Sequence, residues 1–226
     1  MSGRVRAGEG RDRAGAPSRG DGLFGEQDLH LFNEGTHYRI YRKLGAHRAA
    51  IDGREGVAFA VWAPNAESVS VMGDFNGWDK TRYPLRLLGE SGIWQGFVPG
   101  LGPGAVYKYH LRSRLNGFTV DKADPVGFRQ ETPPRTGSVV WDLDYAWGDA
   151  EWMRGRAARS SAAGPMSIYE LHVGSWRRVP EEENRPLGYR EMAGPLADYV
   201  QEMGFTHVEL LPLMEHPFYG SWGYQT

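Results

Sequence analysis

Along residues 23–150, apolar side chains recur in the short alternating runs that are typical of β-strands. The runs cover residues 57–61, 69–72, 94–98, 106–111 and 138–141. Turn-forming sequences separate them, including Asn76-Gly77 and Asn116-Gly117, where glycine favours the positive φ angles of tight turns. Short strands punctuated by turns in this way predict an immunoglobulin-like antiparallel β-sandwich.

The fourth of these runs also predicts which side chains face the core. Tyr107, Tyr109 and Leu111 share one face of the strand. Lys108 and His110 share the opposite face. We therefore expect the aromatic face in the core, and the face with Lys108 and His110 to meet solvent or a ligand.

The hydrophobic period changes in the last third of the chain. Residues 166–173 and 207–212 are predicted as buried strands, with a helix between them. The predicted helix has Pro195 near its first turn and Gly204 just past its end. Its apolar stripe comprises Leu196, Tyr199, Val200 and Met203. Strand, helix and strand in this order predict a βαβ unit with parallel strands.

A single βαβ unit does not close a core. The smallest common parallel architectures need roughly five to eight strands, so we expect residues 165–226 to be the start of a larger domain that is cut short. If nothing closes over them, these strands are expected to expose apolar faces and unpaired edges, which favours aggregation.

Two further segments complete the predicted domain organisation. Residues 1–22 contain five Arg, six Gly and no aromatic residue, which predicts a disordered leader. Residues 151–164 are largely small and polar and are predicted as a linker. The sandwich is thus predicted at residues 23–150 and the truncated βαβ unit at residues 165–226.

Charge and composition argue against several classes of function. The formal net charge of −2 provides no basic surface, so nucleic acid is not an expected partner. No apolar run is long enough for a membrane span, and the absence of Cys is compatible with a reducing compartment, so we expect a cytoplasmic protein. The seven His lack the spacing of a metal site, and neither a metal nor a cofactor is expected.

Several motifs carry a resemblance to a known group of enzymes. Residues 62–66 (WAPNA), 73–79 (GDFNGWD), 92–94 (GIW) and 107–109 (YKY) are similar to the carbohydrate-binding module of branching and debranching enzymes. Residues 168–178 (IYELHVGSWRR), 204–212 (GFTHVELLP) and 215–225 (EHPFYGSWGYQ) resemble the opening of the (β/α)8 TIM barrel of the glycogen (1,4-alpha-glucan) branching enzymes in the alpha-amylase clan. The resemblance covers nearly everything after residue 22.

The resemblance implies a role in glycogen biosynthesis. The parent enzyme would cleave an α-1,4-glucan and transfer the segment to a 6-hydroxyl through a retaining glycosyl-enzyme, which forms an α-1,6 branch. The family's nucleophile is an Asp after the fourth barrel strand and its acid a Glu after the fifth. Glu170, Glu209 and Glu215 match no catalytic position of the family. We therefore expect no catalytic residue in this chain and no activity from the chain alone.

The resemblance also implies four residues that contact α-glucan, such as glycogen or amylose. Tyr224 corresponds to the family residue that stacks beneath the sugar at the cleavage point, and Gln225 is a hydrogen-bonding candidate beside it. Trp78 and Lys108 match positions at which related modules stack on glucose and hydrogen-bond to it, respectively. These four residues are the predicted substrate-binding set.

Two other aromatic residues are interpreted differently. Trp222 is expected to pack within its own loop. Phe118 stands where glycogen-targeting relatives carry a second stacking Trp, and this difference argues against a strong surface site. The predicted role of the module therefore stays open between binding glucan and packing on the barrel.

Two alternative functions also fit the sequence. The chain could be a stand-alone glucan-binding protein without activity, in which residues 165–226 form a docking tail. It could also be a debranching or trehalohydrolase relative with the same architecture. For the full-length enzyme we expect a monomer.

Overall fold

The computed structural model describes residues 23–159, 164–214, 216 and 218–225. These residues divide into two compact units, one ending at Asp144 and the other beginning at Tyr145. The predicted disordered leader at residues 1–22 lies outside the described residues, as does Glu215. Each unit is described by itself below.

The first unit is built mainly from β-strands. Its helix and strands, in chain order, are α1 (Glu26–Asn33), β1 (Gly45–Ile51), β2 (Arg54–Trp62), β3 (Ala66–Gly73), β4 (Arg86–Leu87), β5 (Ile93–Pro99), β6 (Val106–Ser113), β7 (Thr119–Lys122) and β8 (Ser138–Val139). Short 3₁₀ turns occupy Ile40–Arg42 and Asp74–Asn76.

The strands form two antiparallel sheets that pack face to face. One sheet has the order β1-β2-β5-β4 and the other the order β3-β6-β7, with β8 also paired to β6. Their inner faces share one core, in which the rings of Phe59 and Tyr107 meet at a centroid distance of 4.9 Å. The predicted antiparallel sandwich is therefore confirmed, and so is the assignment of Tyr107 and Tyr109 to its core.

Strand β2 is buried on both faces. Val57, Phe59 and Val61 lie in the shared core, whereas Ala60 contributes to a second apolar cluster. That cluster includes Leu29 and Phe32 of α1. The helix thus covers the outer side of the β1-β2-β5-β4 sheet, which explains why the apolar run in β2 is nearly continuous.

The prediction of only strands and turns in this region missed α1. The helix is short and polar, and none of its residues is fully buried. Its start is stabilised by Asp28, whose Oδ2 accepts a hydrogen bond from the backbone N–H of Gly25 at 2.9 Å. Asp28 also lies 3.0 Å from the His37 ring and 3.1 Å from Lys43 Nζ. These contacts fix a helix that hydrophobic periodicity alone does not reveal.

The second unit contains both helices and strands. In chain order they are α2 (Ala150–Arg159), β9 (Ile168–His172), α3 (Val173–Trp176), β10 (Arg178–Val179), β11 (Arg185–Pro186), α4 (Tyr189–Glu202) and β12 (His207–Leu211). A 3₁₀ turn follows at Tyr219–Ser221. Helix α2 runs through much of the segment that the sequence predicts as a linker.

Strands β9 and β12 pair in parallel, with Ile168 opposite His207 and His172 opposite Leu211. Helix α4 connects them and places Met192 and Leu196 against Leu171 in a buried cluster. The predicted βαβ unit is therefore present. No helix in the described ranges has the length and apolar content that crossing a membrane requires.

The predicted start of the connecting helix was wrong. Helix α4 begins at Tyr189, so Pro195 lies in its interior and not near its first turn. Glu191 sets the true start, because its Oε2 accepts a hydrogen bond from the N–H of Gly188 at 2.6 Å. Arg185 holds the same carboxylate through two contacts of 2.9 Å. The capping interactions outweigh the proline signal.

Both parallel strands are exposed on one face in this chain, as the sequence predicts for strands over which no barrel closes. Helix α4 covers the other face of the two-stranded sheet, and Leu171 is buried beneath it. Ile168 and Leu211, on the uncovered face, are exposed. A sheet of two strands covered by one helix leaves its opposite face open to solvent.

Candidate functional site

The side of the β3-β6-β7 sheet that is turned away from the shared core carries a row of mostly polar side chains, which we call the outer face. It comprises Ser70 and Met72, which are buried, and Lys108, His110 and Asp121, which are accessible to solvent. Met72 lies opposite Lys108, and Ser70 lies opposite His110, which in turn lies opposite Asp121. These residues point away from the core because they alternate with core-facing Val71, Tyr107 and Tyr109.

Trp78 stands on a tight loop at one end of this sheet. Its backbone N–H donates to the carbonyl of Gly73 at 2.8 Å, which places the loop directly after β3. Its φ of +61° lies in the left-handed region, which an aromatic residue occupies only when its surroundings impose it. The ring is 40% exposed and is therefore accessible to a flat apolar ligand face.

Side-chain hydrogen bonds brace the Trp78 loop from within. Asn76 accepts from the N–H of Gly73 at 3.0 Å and donates to the carbonyl of Asp79 at 3.0 Å. Asp79 Oδ1 accepts from the backbone and the hydroxyl of Thr81, at 2.8 Å and 2.7 Å. The hydrogen bonds from Thr81 hold the pKa of the Asp79 carboxyl below its ordinary value. The indole is thus presented by a loop with a defined local structure.

Lys108 reaches from the middle of the outer face towards the segment before β8. Its Nζ donates to Thr136 Oγ1 at 2.6 Å. An ammonium group has three donors, so this bond leaves two for ligand oxygens. The structure therefore brings the predicted residues Trp78 and Lys108 to the same end of one sheet.

Tyr224 and Gln225 lie in the second unit, in the loop that follows β12. Tyr224 is 89% exposed, and its backbone N–H donates to the carbonyl of Ser221 at 3.0 Å. Gly223 precedes it with a φ of +81°. The preceding Trp222 approaches the His172 ring at the end of β9, at a centroid distance of 6.1 Å. The loop therefore lies at the carboxyl ends of the two parallel strands.

The ring of His172 has one nitrogen that stands out. Its Nδ1 lies 3.0 Å from Ser175 Oγ, whereas its Nε2 is buried and meets no hydrogen-bond partner among the described residues. Burying a nitrogen without a hydrogen-bond partner costs free energy of folding, and this nitrogen lies beside the loop that carries Tyr224. The sequence did not single out this histidine.

Glu170 and Glu209 lie opposite each other in the register of β9 and β12. Both side chains are exposed on the open face of the sheet. Exposure on an open sheet face gives these carboxylates no enclosed surroundings, so their proximity does not make a catalytic pair. In the ranges that the structure describes, no group of three or more acidic or histidine side chains could hold a metal ion.

Phe118 lies in a groove at the other end of the sandwich. The groove encloses about 290 Å³ and is lined by Trp62, Pro64, Asn65, Arg112 and Phe118 among others. Phe118 and Trp62 are both exposed. Because β3 and β6 separate this groove from the Trp78 loop along the strand direction, Phe118 belongs to a different part of the surface.

Comparison with protein families assigns the sandwich. Residues 43–127 match the model of carbohydrate-binding module 48, the isoamylase N-terminal domain. This range includes Trp78, Lys108 and the complete outer face. The family match and the two-sheet architecture agree on the same part of the chain.

Comparison with curated proteins extends the relationship to both units. The chain is 55% identical over 222 residues to 1,4-alpha-glucan branching enzyme GlgB of Paramagnetospirillum magneticum, which covers 98% of this chain and 30% of that protein. The chain is homologous to the N-terminal region of branching enzymes. The corresponding enzyme of Rubrobacter xylanophilus is 53% identical over 219 residues, covering 96% of this chain and 30% of its own length. The chain thus spans about 30% of the length of these relatives.

Solved structures show the same architecture. A Salmonella typhimurium protein assigned as an alpha-amylase matches with a TM-score of 0.58 and 26% identity, over 80% of this chain and 26% of that one. A pullulanase from Paenibacillus barengoltzii matches with a TM-score of 0.52 and 22% identity, over 77% of this chain and 27% of its own. The second likeness supports the fold alone.

Proposed function

We propose that this chain is the N-terminal part of a glycogen branching enzyme and that its sandwich binds α-glucan. The observation that carries the proposal is the identity of 53–55% to branching enzymes over 96–98% of the chain, across both units. This level of identity favours branching over the debranching and trehalohydrolase alternatives. A cytoplasmic location and a monomeric parent enzyme remain predictions.

The sandwich would contribute a surface for the polysaccharide. The exposed indole of Trp78 suits the C–H face of a glucose ring, and the Lys108 ammonium group suits its hydroxyls. The uncharged nature of the ligand fits a chain whose net charge is only −2. Nucleic acid and membrane remain unexpected partners.

The second unit would begin the (β/α)8 catalytic barrel. Active sites of such barrels lie at the carboxyl ends of the strands, and the loop with Tyr224 and Gln225 follows β12 at that end. Tyr224 would stack beneath the sugar at the cleavage point, and Gln225 would hydrogen-bond beside it. The exposed apolar side chains of β9 and β12 would face the remaining barrel.

The parent enzyme would carry out a double displacement. A carboxylate attacks the anomeric carbon and breaks its bond to the 4-oxygen, which takes a proton from a carboxylic acid. A 6-hydroxyl of another glucan then attacks the same carbon, returns a proton to the acid's conjugate base and releases the nucleophile. None of the carboxylates in this chain matches those two roles, so we propose that the chain alone is inactive.

Two measurements on the 226-residue chain test the proposal. In native gels that contain amylopectin, the chain should migrate more slowly than in plain gels, and Trp78→Ala should remove the retardation. Incubation with amylose should leave the iodine-complex spectrum unchanged. Absence of retardation would refute glucan binding, and branching by the chain alone would refute the assignment of the carboxylates.

A stand-alone binding protein remains the second candidate, because residues 43–127 alone match the carbohydrate-binding family. The two candidates differ in the role of the second unit. Tyr224→Ala in the corresponding full-length enzyme should lower branching activity strongly if the second unit belongs to a catalytic barrel. Unchanged activity would favour the binding-only interpretation of this chain.

A further inference from the structure

A cluster of three charged or titratable side chains, Lys80 together with His110 and Asp121 of the outer face, is separate from Trp78 and Lys108. Asp121 is at its centre. Its Oδ2 accepts a hydrogen bond from Lys80 Nζ at 2.9 Å, and its Oδ1 lies 2.6 Å from His110 Nδ1. The three residues come from the loop after β3, from β6 and from β7, so the cluster forms only in the folded sheet.

The cluster lies next to the predicted glucan contacts. His110 follows Lys108 by two residues on the same face of β6, a separation of about 7 Å along a strand. Lys80 follows Trp78 by two residues, and its backbone carbonyl accepts a hydrogen bond from Ser70, the cross-strand partner of His110. His110 therefore lies beside Lys108, and Lys80 lies beside Trp78, so the cluster adjoins both predicted glucan contacts.

The cluster is held in place and still accessible. The side chains of Lys80, Asp121 and His110 are 49%, 33% and 19% exposed. Burial tends to raise the pKa of Asp121, but the hydrogen bonds from Lys80 and His110 outweigh it and hold the pKa below its ordinary value. The carboxylate is therefore ionised near neutral pH and keeps both partners fixed.

Each member retains hydrogen-bonding capacity after these contacts. Lys80 Nζ has two further donors, and each carboxylate oxygen of Asp121 has a further lone pair. The Nε2 of His110 has no hydrogen-bond partner in the described part of the chain. Donors and acceptors set side by side are what the adjacent hydroxyls of a sugar require, since each hydroxyl both donates and accepts.

We infer that Lys80, His110 and Asp121 form a second sugar subsite, which hydrogen-bonds the glucose unit next to the one stacked on Trp78. This inference rests on the proposed glucan binding and names further residues of the same surface. A sugar-binding role explains why these three polar side chains lie beside an exposed tryptophan. An ion pair that only joined the strands would not need a tryptophan next to it. The surface would then prefer oligosaccharides to single glucose units.

Titration calorimetry of the 226-residue chain with maltoheptaose tests this inference. His110→Ala and Lys80→Met should each weaken binding about five- to tenfold, since each removes one or two hydrogen bonds to the sugar. Arg48→Ala is the matched control, because Arg48 forms a comparable exposed ion pair with Asp142 at 3.3 Å, with its side chain on the other sheet. The control should bind as the unchanged chain does.

The effect should also depend on ligand length. For maltoheptaose the His110→Ala variant should lose affinity, whereas for the monosaccharide methyl α-glucoside it should match the unchanged chain. His110→Gln preserves a donor and should recover part of the affinity, which separates sugar contact from loss of folding. Wild-type affinity in both the His110→Ala and the Lys80→Met variant would overturn the inference.

The same experiment separates this inference from the proposed function. If the unchanged chain fails to bind maltoheptaose, the proposed function itself fails. Suppose instead that the unchanged chain binds maltoheptaose, that Trp78→Ala abolishes binding, and that the Lys80 and His110 variants bind normally. Then only the inference of a second subsite is wrong.

Discussion

The hydroxyl of Tyr107 donates a 2.7 Å hydrogen bond to Oδ2 of Asp124, inside the sandwich. Tyr109 donates to the same oxygen at 3.1 Å, and Oδ1 accepts from the N–H of Val126 at 2.8 Å. The backbone N–H of Asp124 in turn donates to Ser138 Oγ at 2.8 Å. The buried carboxylate of Asp124 therefore ties β6 to the segment at residues 124–126, and the backbone of the same residue ties that segment to β8.

Removing this carboxylate should destabilise the sandwich strongly. Asp124→Ala leaves two buried hydroxyls and one N–H without a partner, and we expect a loss of about 3 kcal/mol or more in the free energy of unfolding. Tyr107→Phe removes a single donor and should cost about 1 kcal/mol. Urea unfolding followed by fluorescence measures both. Equal effects of the two variants would show that Asp124 is not the centre of the network.

Asp124 should also leave a signature in the pH dependence of stability. Burial raises the pKa of its carboxyl, and the hydrogen bonds from Val126, Tyr107 and Tyr109 only partly oppose this. The folded state therefore takes up the proton at a higher pH than the unfolded state does. The resulting stabilisation should grow as the pH falls through the raised pKa and be complete below the ordinary value of 3.8.

The measurement is a comparison of unfolding free energies between the unchanged chain and Asp124→Asn from pH 7 to pH 4. Other acidic groups cancel in this difference. The unchanged chain should gain stability relative to the variant towards low pH. The opposite trend would mean that the hydrogen bonds outweigh burial.

The left-handed conformation of Trp78 predicts a separation between stability and binding. Trp78→Ala and Trp78→Gly should both abolish glucan binding, because each removes the ring. Glycine adopts a φ of +61° without the steric cost that alanine has, so Trp78→Gly should be the more stable variant by about 1 kcal/mol. Chemical unfolding and amylopectin gels test the two parts. Equal stability of the variants would show that the loop relaxes.

The start of α4 should weaken in acid. The hydrogen bonds from Arg185 and then from the Gly188 N–H lower the pKa of Glu191 to about 2. Stabilisation by this carboxylate is therefore present above its ordinary pKa of 4.5 and lost as the pH falls towards 2. The protection factors of the amides at residues 188–192, which compare the observed exchange rate with the intrinsic rate at each pH, should fall across that range.

Glu191→Gln should show fast exchange at these amides already at neutral pH. Glu182→Gln is the control, since Glu182 binds the same arginine at 2.6 Å but makes no contact with Gly188. Its amide exchange should stay close to that of the unchanged chain. Equal acceleration in both variants would assign the effect to Arg185 and not to the helix cap.

Gly223 should be required for the shape of the loop that carries Tyr224. It has a φ of +81°, and a Cβ at this position would collide with the side chain of Pro212. Gly223→Ala should therefore shift the amide resonances of residues 221–225. Gly204→Ala is the control, because Gly204 has a φ of +74° with open space around it, so only the conformational cost of about 1 kcal/mol applies. Unchanged loop resonances in Gly223→Ala would contradict the prediction.

Local patterns were sufficient for several core strands, but not for β1 and not for the contacts between strands. The alternation of Tyr107 and Tyr109 with Lys108 correctly predicted which face of β6 lies in the core, because the two-residue period is a property of the strand itself. Lys80 and Asp121 are 41 residues apart, and only the register of β3, β6 and β7 brings them together. No local signal in the sequence specifies that register.

Two of the errors in helix placement have a common physical origin. Helix α1 and the start of α4 depend on side chains that bond to backbone N–H groups, namely Asp28 and Glu191. Such caps are recognisable in a sequence only when an apolar stripe already indicates a helix. In α1 no residue is fully buried, and in α4 the interior proline pointed to the wrong end.

The position of Lys80 and Lys108 among the proposed glucan contacts affects how the protein should be handled in a binding assay. The chain has only four lysines, and the other two are Lys43 and Lys122. Lys43 is largely buried beside Asp28, whereas Lys122 is exposed. Coupling the chain to a sensor chip through its amines would modify Lys80 and Lys108 along with Lys122, so attachment through an affinity tag is the appropriate choice.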